Sequence, residues 1–345
     1  MLTQRDVPTA LRLRRFPRYT VCMNVLSLRI KVMPTTVPVM LVIPVFALLL
    51  IPALVIGLLL GRLYGPREQI LYISQADPLT DNHVTLFLHD LTSNIRLPLL
   101  KDYLGWGSVA AWSPDGRKIA FSRFRQDVVQ RDIIIYDLYT GDEAVISDNI
   151  MASDYNAPDW SPDGQKLVYH GVDAISGSID LYLYDLTTRQ QRKLYAGPLT
   201  DAVPAWSPDG KQIAFESRDD FDWPPNIYLL DLATETVTPL APSMTQQTAP
   251  TWSPDGHSIA FASLYGGNST YGIYVIDIDR SRFRQLVRFL YLDTAEPHWS
   301  PDGQSLIYVR FEFPGSRVYR VPLTGRPVQA ITEEDGNYRQ PFWRP

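Results

Sequence analysis

The sequence predicts an all-β fold, a six-bladed β-propeller of four-stranded antiparallel blades, preceded by one transmembrane helix. Three observations lead there. The pentapeptide Trp-Ser-Pro-Asp-Gly recurs at Trp112–Gly116, Trp160–Gly164, Trp206–Gly210, Trp252–Gly256 and Trp299–Gly303. A truncated copy, Pro341-Phe342-Trp343, stands near the C-terminus, and successive tryptophans are 48, 46, 46, 47 and 44 residues apart. A stretch without any charged residue runs from Val32 to Gly61. Periods in the forties with several short strands per unit are the signature of propeller blades.

The first element is a basic tail. Residues 1–35 carry seven basic side chains, Arg5, Arg12, Arg14, Arg15, Arg18, Arg29 and Lys31, against one acid, Asp6. The remainder holds 25 basic and 36 acidic residues, so the body is acidic although the whole chain is only at −5. An acidic body excludes a nucleic-acid surface, which needs a basic footprint. The tail adjoins an apolar run, and its expected partner is an anionic lipid headgroup.

The second element, residues 36–64, reads as a signal anchor. Val37–Leu60 is 24 residues long and almost wholly apolar, and about 20 such residues span a bilayer as a helix. Its prolines, Pro38, Pro44 and Pro52, are tolerated in membrane helices. A cleaved signal peptide has a shorter core ending in a small-residue site, whereas this core runs into Leu60-Gly61-Arg62-Leu63-Tyr64. The excess of basic residues before the helix places the N-terminus in the cytoplasm and the rest outside. The single cysteine, Cys22, excludes an intrachain disulfide and a thiolate zinc cluster.

The third element, residues 69–345, is the propeller. In each unit the first strand ends at the tryptophan, with proline two residues earlier in five copies (Pro158, Pro204, Pro250, Pro297, Pro341). Ser-Pro-Asp-Gly then turns tightly: proline presets φ, aspartate suits the second central position and glycine accepts positive φ. Second strands are expected at Lys118–Ser122, Lys166–His170, Gln212–Glu216, Ser258–Ala262 and Ser305–Val309. Third strands are expected at Asp132–Leu138, Asp180–Leu186, Asn226–Leu232, Gly272–Ile278 and Arg317–Leu323. Before Trp112 lie three strand-like runs, Gln69–Ser74, Val84–Asp90 and Asn94–Leu100, without a tryptophan strand of their own. Arg339–Trp343 supplies that strand, so the chain ends complete one blade and the count is six.

The repeated residues read as architecture. Asp115, Asp163, Asp209, Asp255 and Asp302 sit in Pro-Asp-Gly turns, where aspartate bonds its own backbone, and the tryptophans are core aromatics between blades. The chain resembles the TolB-type, WD-repeat-like propeller family. The pattern is Pro-x-Trp-Ser-Pro-Asp-Gly, then Ile-Ala-Phe (Ile119–Phe121, Ile213–Phe215, Ile259–Phe261), then Ile-Tyr-x-x-Asp-Leu (Ile227–Leu232, with Leu181–Leu186 close). The resemblance spans about residues 69–345 and implies protein binding in a cell envelope. Where TolB carries an α/β domain before its propeller, this chain has the apolar helix.

Function is expected in the irregular loops, because a fold does not specify an activity. Loops between second and third strands, and between blades, share one mouth of the channel. Asp154, Tyr155, Asn156, Asp201, Asp293, Glu296, His298, Tyr338 and Arg339 are the candidate rim, a mixture suited to a peptide or sugar and equally to a solvated edge. The loop Arg218-Asp219-Asp220-Phe221-Asp222-Trp223 is the sharpest single feature. Its three carboxylates suggest calcium as a minor alternative to no cofactor, without the spacing of an EF-hand. Its aromatics suggest a partner contact. The expected role is therefore a binding or scaffold module for an envelope protein or glycan. The enzymatic alternative is a channel-site, metal-dependent polysaccharide lyase using His298. No Gly-x-Ser-x-Gly elbow is present, which removes one route to serine hydrolase chemistry.

Overall fold

The computed structural model describes residues 68–345 except 76–83, 105–108, 126–129, 147–151, 198–199, 219–224, 245, 265–269, 289–293, 313–314 and 334–335. The predicted basic tail and the predicted spanning segment 36–64 lie outside the described residues. Among those described, no helix is long and apolar enough to cross a membrane.

Residues 66–345 form one compact unit, built from six antiparallel blades. Blade I contains β1 (Gln69–Gln75), β2 (Val84–Asp90) and β3 (Ile95–Leu104). Blade II is β4 (Ala110–Trp112), β5 (Lys118–Phe124), β6 (Arg131–Asp137) and β7 (Glu143–Val145). Blade III is β8 (Ala152–Trp160), β9 (Lys166–Asp173), β10 (Ile179–Asp185) and β11 (Gln190–Tyr195). Blade IV is β12 (Thr200–Trp206), β13 (Gln212–Arg218), β14 (Asn226–Asp231) and β15 (Val237–Pro239). Blade V is β16 (Gln247–Trp252), β17 (Ser258–Ser263), β18 (Gly272–Asp277) and β19 (Arg282–Val287). Blade VI is β20 (Thr294–Trp299), β21 (Ser305–Phe311), β22 (Ser316–Pro322) and β23 (Gln329–Ala330). The last strand, β24 (Asn337–Trp343), pairs with β1 through Ile70↔Trp343 and Leu71↔Phe342. It is the innermost strand of blade I, so the two ends of the propeller close it as the repeat count predicts.

Second strands are buried on both faces, which is why they read as unbroken apolar runs. Ile119, Ala120 and Phe121 are fully buried, as are Ile213, Ala214 and Phe215 and Ile259, Ala260 and Phe261. Alternate side chains serve opposite seams. Ile119 and Phe121 pack with Leu71 and Leu86 of blade I, whereas Ala120 packs with Tyr169 of blade III. Each repeat tryptophan fills the seam with the preceding blade. Trp112, Trp160, Trp252, Trp299 and Trp343 occupy five of these apolar clusters and Trp206 a smaller sixth. Three of their indoles also donate across the seam to an inner-strand carbonyl: Trp160 to Ala111 (3.3 Å), Trp252 to Ala205 (3.2 Å) and Trp299 to Thr251 (3.1 Å).

The Ser-Pro-Asp-Gly turns are self-contained. In the first, Ser113 Oγ donates to Asp115 Oδ1 at 2.6 Å, Asp115 Oδ1 accepts the Arg117 amide at 3.0 Å, and Ser113 Oγ accepts the Lys118 amide at 2.9 Å. The other four copies repeat the serine–aspartate bond. Successive turns also stack, with Pro114 against Gly164, Pro162 against Gly210, Pro208 against Gly256 and Pro254 against Gly303. Blade I has no such turn, and Arg344 takes its place. Its guanidinium donates to Gly116 O at 2.8 Å and Gln69 Oε1 at 2.6 Å and lies 5.1 Å from the centre of the Trp112 ring.

Candidate functional site

Strand alternation puts the Ser-Pro-Asp-Gly and third-to-fourth turns on one face, the turn face. The second-to-third hairpins and the blade-to-blade connections share the other face, the mouth. The inner strands approach the channel from the mouth, and most carry a bulge three residues before the tryptophan. There the backbone has positive φ at Ala157 (49°), Val203 (49°), Ala249 (51°), Glu296 (56°) and Gln340 (49°). Such a conformation is strained for a residue with a side chain, most of all for β-branched valine.

The preceding blade holds several of the turned amides. His170 Nδ1 accepts the Val203 amide at 3.3 Å, Glu216 Oε1 the Ala249 amide at 2.7 Å, and Glu296 Oε2 the Gln340 amide at 2.6 Å. Asp159 works one level further along. Its Oδ1 accepts the Trp160 amide at 3.0 Å and its Oδ2 the Trp206 amide of the next blade at 2.7 Å. These bonds tie the bulges across the seams and bring carboxylates to the channel wall.

The predicted rim residues divide. Asp154, Tyr155 and Asn156 lie in β8, Asp201 in β12, Tyr338 and Arg339 in β24, and Arg218 ends β13. The inter-blade group, expected in loops, belongs to inner strands, because the bulge lets those strands continue towards the mouth. Tyr155 and Asp201 are fully buried, and Asn156 and Tyr338 nearly so. Tyr155 packs edge-on to Tyr169 and Tyr182, and Tyr338 edge-on to Tyr72, so their aromatic surface goes into the blades. Asp201 accepts the Gly197 amide, where a Cβ would meet its carboxylate at 2.7 Å. Asp154 pairs with Arg131 at 3.7 Å. Asp219, Asp220, Phe221, Asp222, Trp223 and Asp293 lie outside the described residues.

Glu296 and His298, both in β20, do reach the channel. They line a cavity of about 440 Å³ together with Asp159, Glu216 and Gln340. Much of the remaining wall is the proline ring, with Trp206, Trp252 and Phe342. Burial pushes the Asp159 carboxyl up to about 6, against the pull of its two amide bonds. Burial likewise pushes Glu216 up to about 7, offset by the Ala249 amide and by Arg218. Glu296 is raised by burial too, and Arg339 lies 3.9 Å from its Oε1.

The histidines do not converge. Burial lowers His298 to about 4. Its Nδ1 lies 3.1 Å from Trp299 O and 3.3 Å from the Trp343 amide, so the tautomer decides which bond forms, and its ring meets Phe342 edge-on. His170 is also lowered to about 4 by burial and by Arg131. His89 bonds Asn94 in blade I and His257 pairs with Asp279 on the turn face; His83 is outside the described residues. Among the described residues, no three of His, Cys, Asp and Glu stand together as a metal set.

Two of the channel acids, Asp159 and Glu216, are not among the predicted site residues, although the repeat contains their signal. The residue before each tryptophan is Ala111, Asp159, Ala205, Thr251, His298 and Phe342 around the ring. The residue after the Ile-Ala-Phe position is Ser122, His170, Glu216, Ala262 and Val309. A charged residue at a position that other blades fill with alanine is a departure from what folding requires.

A family model for the TolB beta propeller domain matches residues 107–221 and 219–345. No curated protein matches the chain. Among solved structures, it is similar to TolB from Acinetobacter baumannii, with 26% identity and a TM-score of 0.69, over 81% of this chain and 67% of that one. A putative TolB from Agrobacterium tumefaciens is 19% identical with a TM-score of 0.62, over 81% of this chain and all of that one. An oligogalacturonate lyase from Vibrio parahaemolyticus shares the fold at 17% identity and a TM-score of 0.51, over 72% and 71% of the two chains.

Proposed function

The chain belongs to the TolB beta propeller domain family, and on that premise we propose that it is a binding module of the cell envelope, which engages an envelope protein at the mouth of its channel. One observation carries the reading: side chains that depart from the repeat, Asp159, Glu216, Glu296 and His298, gather on the channel wall, whereas the turn face repeats one motif. A wall that is concave, mostly apolar and marked by a few polar groups is the usual form of a binding site. The mouth also bears Ile175, 99% exposed at the tip of the β9–β10 hairpin, and exposed apolar anchors favour protein contacts. The lyase alternative lacks comparable support, since His170 and His298 each sit within reach of backbone amides. The same proposal includes attachment through residues 36–64 with the propeller outside the cytoplasm, supported by the uncharged stretch and the basic residues before it.

A photo-crosslinking residue at Ile175 tests the module, with one at Tyr139 on the turn face, 70% exposed, as control. The expected result is a discrete envelope protein joined at Ile175 and absent at Tyr139. Equal capture at both positions, or none at Ile175, overturns the reading. For the attachment, a reporter fused after Pro345 should be active only outside the cytoplasm; activity inside overturns it.

A further inference from the structure

Outer strands form the rim of the ring, and their exposed side chains differ from blade to blade. Gln190 and Arg192 are exposed on β11, and Arg282 and Arg284 on β19, the polar cover expected of a sheet edge. β3 of blade I instead exposes Ile95, Leu97 and Pro98. Ile95 and Leu97 are each more than half exposed, and alternation puts them on one face of the strand. That face belongs to the seam with blade II. Leu97 stands opposite Leu88, which packs on the seam cluster of Leu71, Leu86 and Ile134, and residues directly opposite share a face. From the other side, Val145 of β7 stands opposite Ile134 and is itself exposed. The outer opening of this seam is an apolar patch, and contiguous exposed apolar surface marks a contact site.

Two observations select what covers it. Pro98 removes a backbone donor from the β3 edge, so the strand is poorly made for pairing with a strand of another chain. The chain also enters the propeller at this corner. Glu68 O accepts the Leu91 amide at 2.8 Å, and Gln69, Asp90 and Ile95 are successive cross-strand partners, which puts Ile95 about 10 Å from Gln69. On the blade II side, Arg344 bridges Gln69 Oε1 and Gly116 O. The guanidinium of the next residue, Arg117, lies 5.1 Å from the centre of the exposed Tyr139 ring. Only Gly65, Pro66 and Arg67 separate Glu68 from Tyr64, where the proposed membrane segment ends, and that stretch reaches at most about 14 Å.

Building on the attachment through residues 36–64, we infer that the outer opening of the seam between blades I and II lies on the bilayer surface. Ile95, Leu97 and Val145 enter the boundary between headgroups and acyl chains, as the apolar face of an interfacial element does. Tyr139 sits at headgroup level, where its ring is apolar and its hydroxyl wet. Arg117 and Lys118, both exposed at this end, meet the lipid phosphates. The carboxylates of Asp90, Asp115 and Asp137 are engaged there by amides of their own turns. The contact uses the turn ends of the strands and leaves the mouth, at their other ends, free for an envelope protein.

The test uses the full-length chain with its single cysteine removed, Cys22→Ser, and one new cysteine at a time: Leu97→Cys, Tyr139→Cys, or Ile175→Cys at the mouth as control. Each variant carries the fluorophore nitrobenzoxadiazole and is reconstituted into vesicles of phosphatidylcholine and phosphatidylglycerol, with and without nitroxide-labelled lipid. All three positions are exposed, so the label leaves the core intact. The expected result is blue-shifted emission and quenching by the nitroxide lipid at positions 97 and 139, and neither at 175. No quenching at 97, or equal quenching at all three, overturns the inference. Disulfide-linked dimers through Leu97→Cys without lipid quenching assign the patch to a second copy and overturn it too. An alkaline carbonate wash reads the attachment separately. Protein retained by the vesicles with no quenching at 97 sinks this contact and leaves the attachment. Protein washed away, yet quenched at 97 and 139 before the wash, sinks the anchor and leaves the contact.

Discussion

The turn face and the channel wall both carry carboxylates, the first set just past the inner strands, the second along the wall they form. On the turn face the five repeat aspartates are all held below the usual carboxylate range, chiefly by the serine two residues earlier and by a backbone amide. On the channel wall Asp159, Glu216 and Glu296 are all raised, and burial is the leading cause in each. The two sets differ in where their partners come from. A turn aspartate finds serine and amide within its own pentapeptide. A wall carboxylate receives an amide from another blade and is desolvated by the closure of the ring. The lesson is that one residue type supports the fold in the first place and stands at odds with it in the second, where a charge is kept at a position that alanine or valine fills elsewhere.

The costliest single substitution lies in neither set but in the seam both depend on. Trp299 is 4% exposed between blades V and VI, and Trp299→Ala should lower unfolding free energy by about 3–5 kcal/mol, read from the urea midpoint. A loss below about 1 kcal/mol would show that the seams are not the source of stability.

Next is pH. For the wall acids the folded pKa exceeds the unfolded value near 4, so the native state binds more protons between about pH 4 and 7. The contribution of these acids should fall as pH rises through that window, by up to about 3 kcal/mol for each of Asp159 and Glu216. His170 and His298, lowered to about 4 by burial, have the opposite sign and gain by a similar amount up to about pH 6.5. For the turn aspartates the contribution is present above about pH 4 and lost as pH falls below it. The urea midpoint should therefore change little between about pH 4.5 and 6.5, where acids and histidines oppose each other, and decline above about pH 6.5 as Glu216 ionises. A midpoint climbing from pH 6.5 to 8 would contradict the assignment of raised acids to the channel.

A smaller change separates the two sets directly. Asp209→Ala removes bonds to Ser207 Oγ and the Lys211 amide and should lower stability by about 1 kcal/mol, leaving the slope between pH 5 and 8 as it was. Smallest in stability is Glu216→Gln, which keeps an acceptor for Ala249. It should shift the midpoint at pH 5 by less than about 1 kcal/mol while flattening the decline towards pH 8. If the slope survives, Glu216 is not one of its sources.

Much of the fold was legible because each cause lies within a few residues. Pro114-Asp115-Gly116 writes its own turn, Ile119-Ala120-Phe121 its own doubly buried strand, and the stranded Trp343 its own place in blade I. The rim was less legible. Asp154, Tyr155 and Asn156 look like a polar loop between strands, yet they continue β8 and two of them are buried, because a bulge at Ala157 redirects the strand. That bulge depends on contacts from the neighbouring blade, which no local pattern encodes. Asp159 and Glu216 are hard to read from the chain because each sits inside a strand segment, where a single acid passes for an exposed face.

The repeat, the six-fold count, the closure of the ring and the structural role of its aspartates and tryptophans can be read from the chain, since they rest on periodicity and on hydrogen bonds within one turn. Which carboxylates are desolvated, and what they face, follows only from the assembled ring. Burial of a charge is set by the blades around it, and a ring brings together residues such as Asp159 and Glu296 that stand three blades apart in the chain.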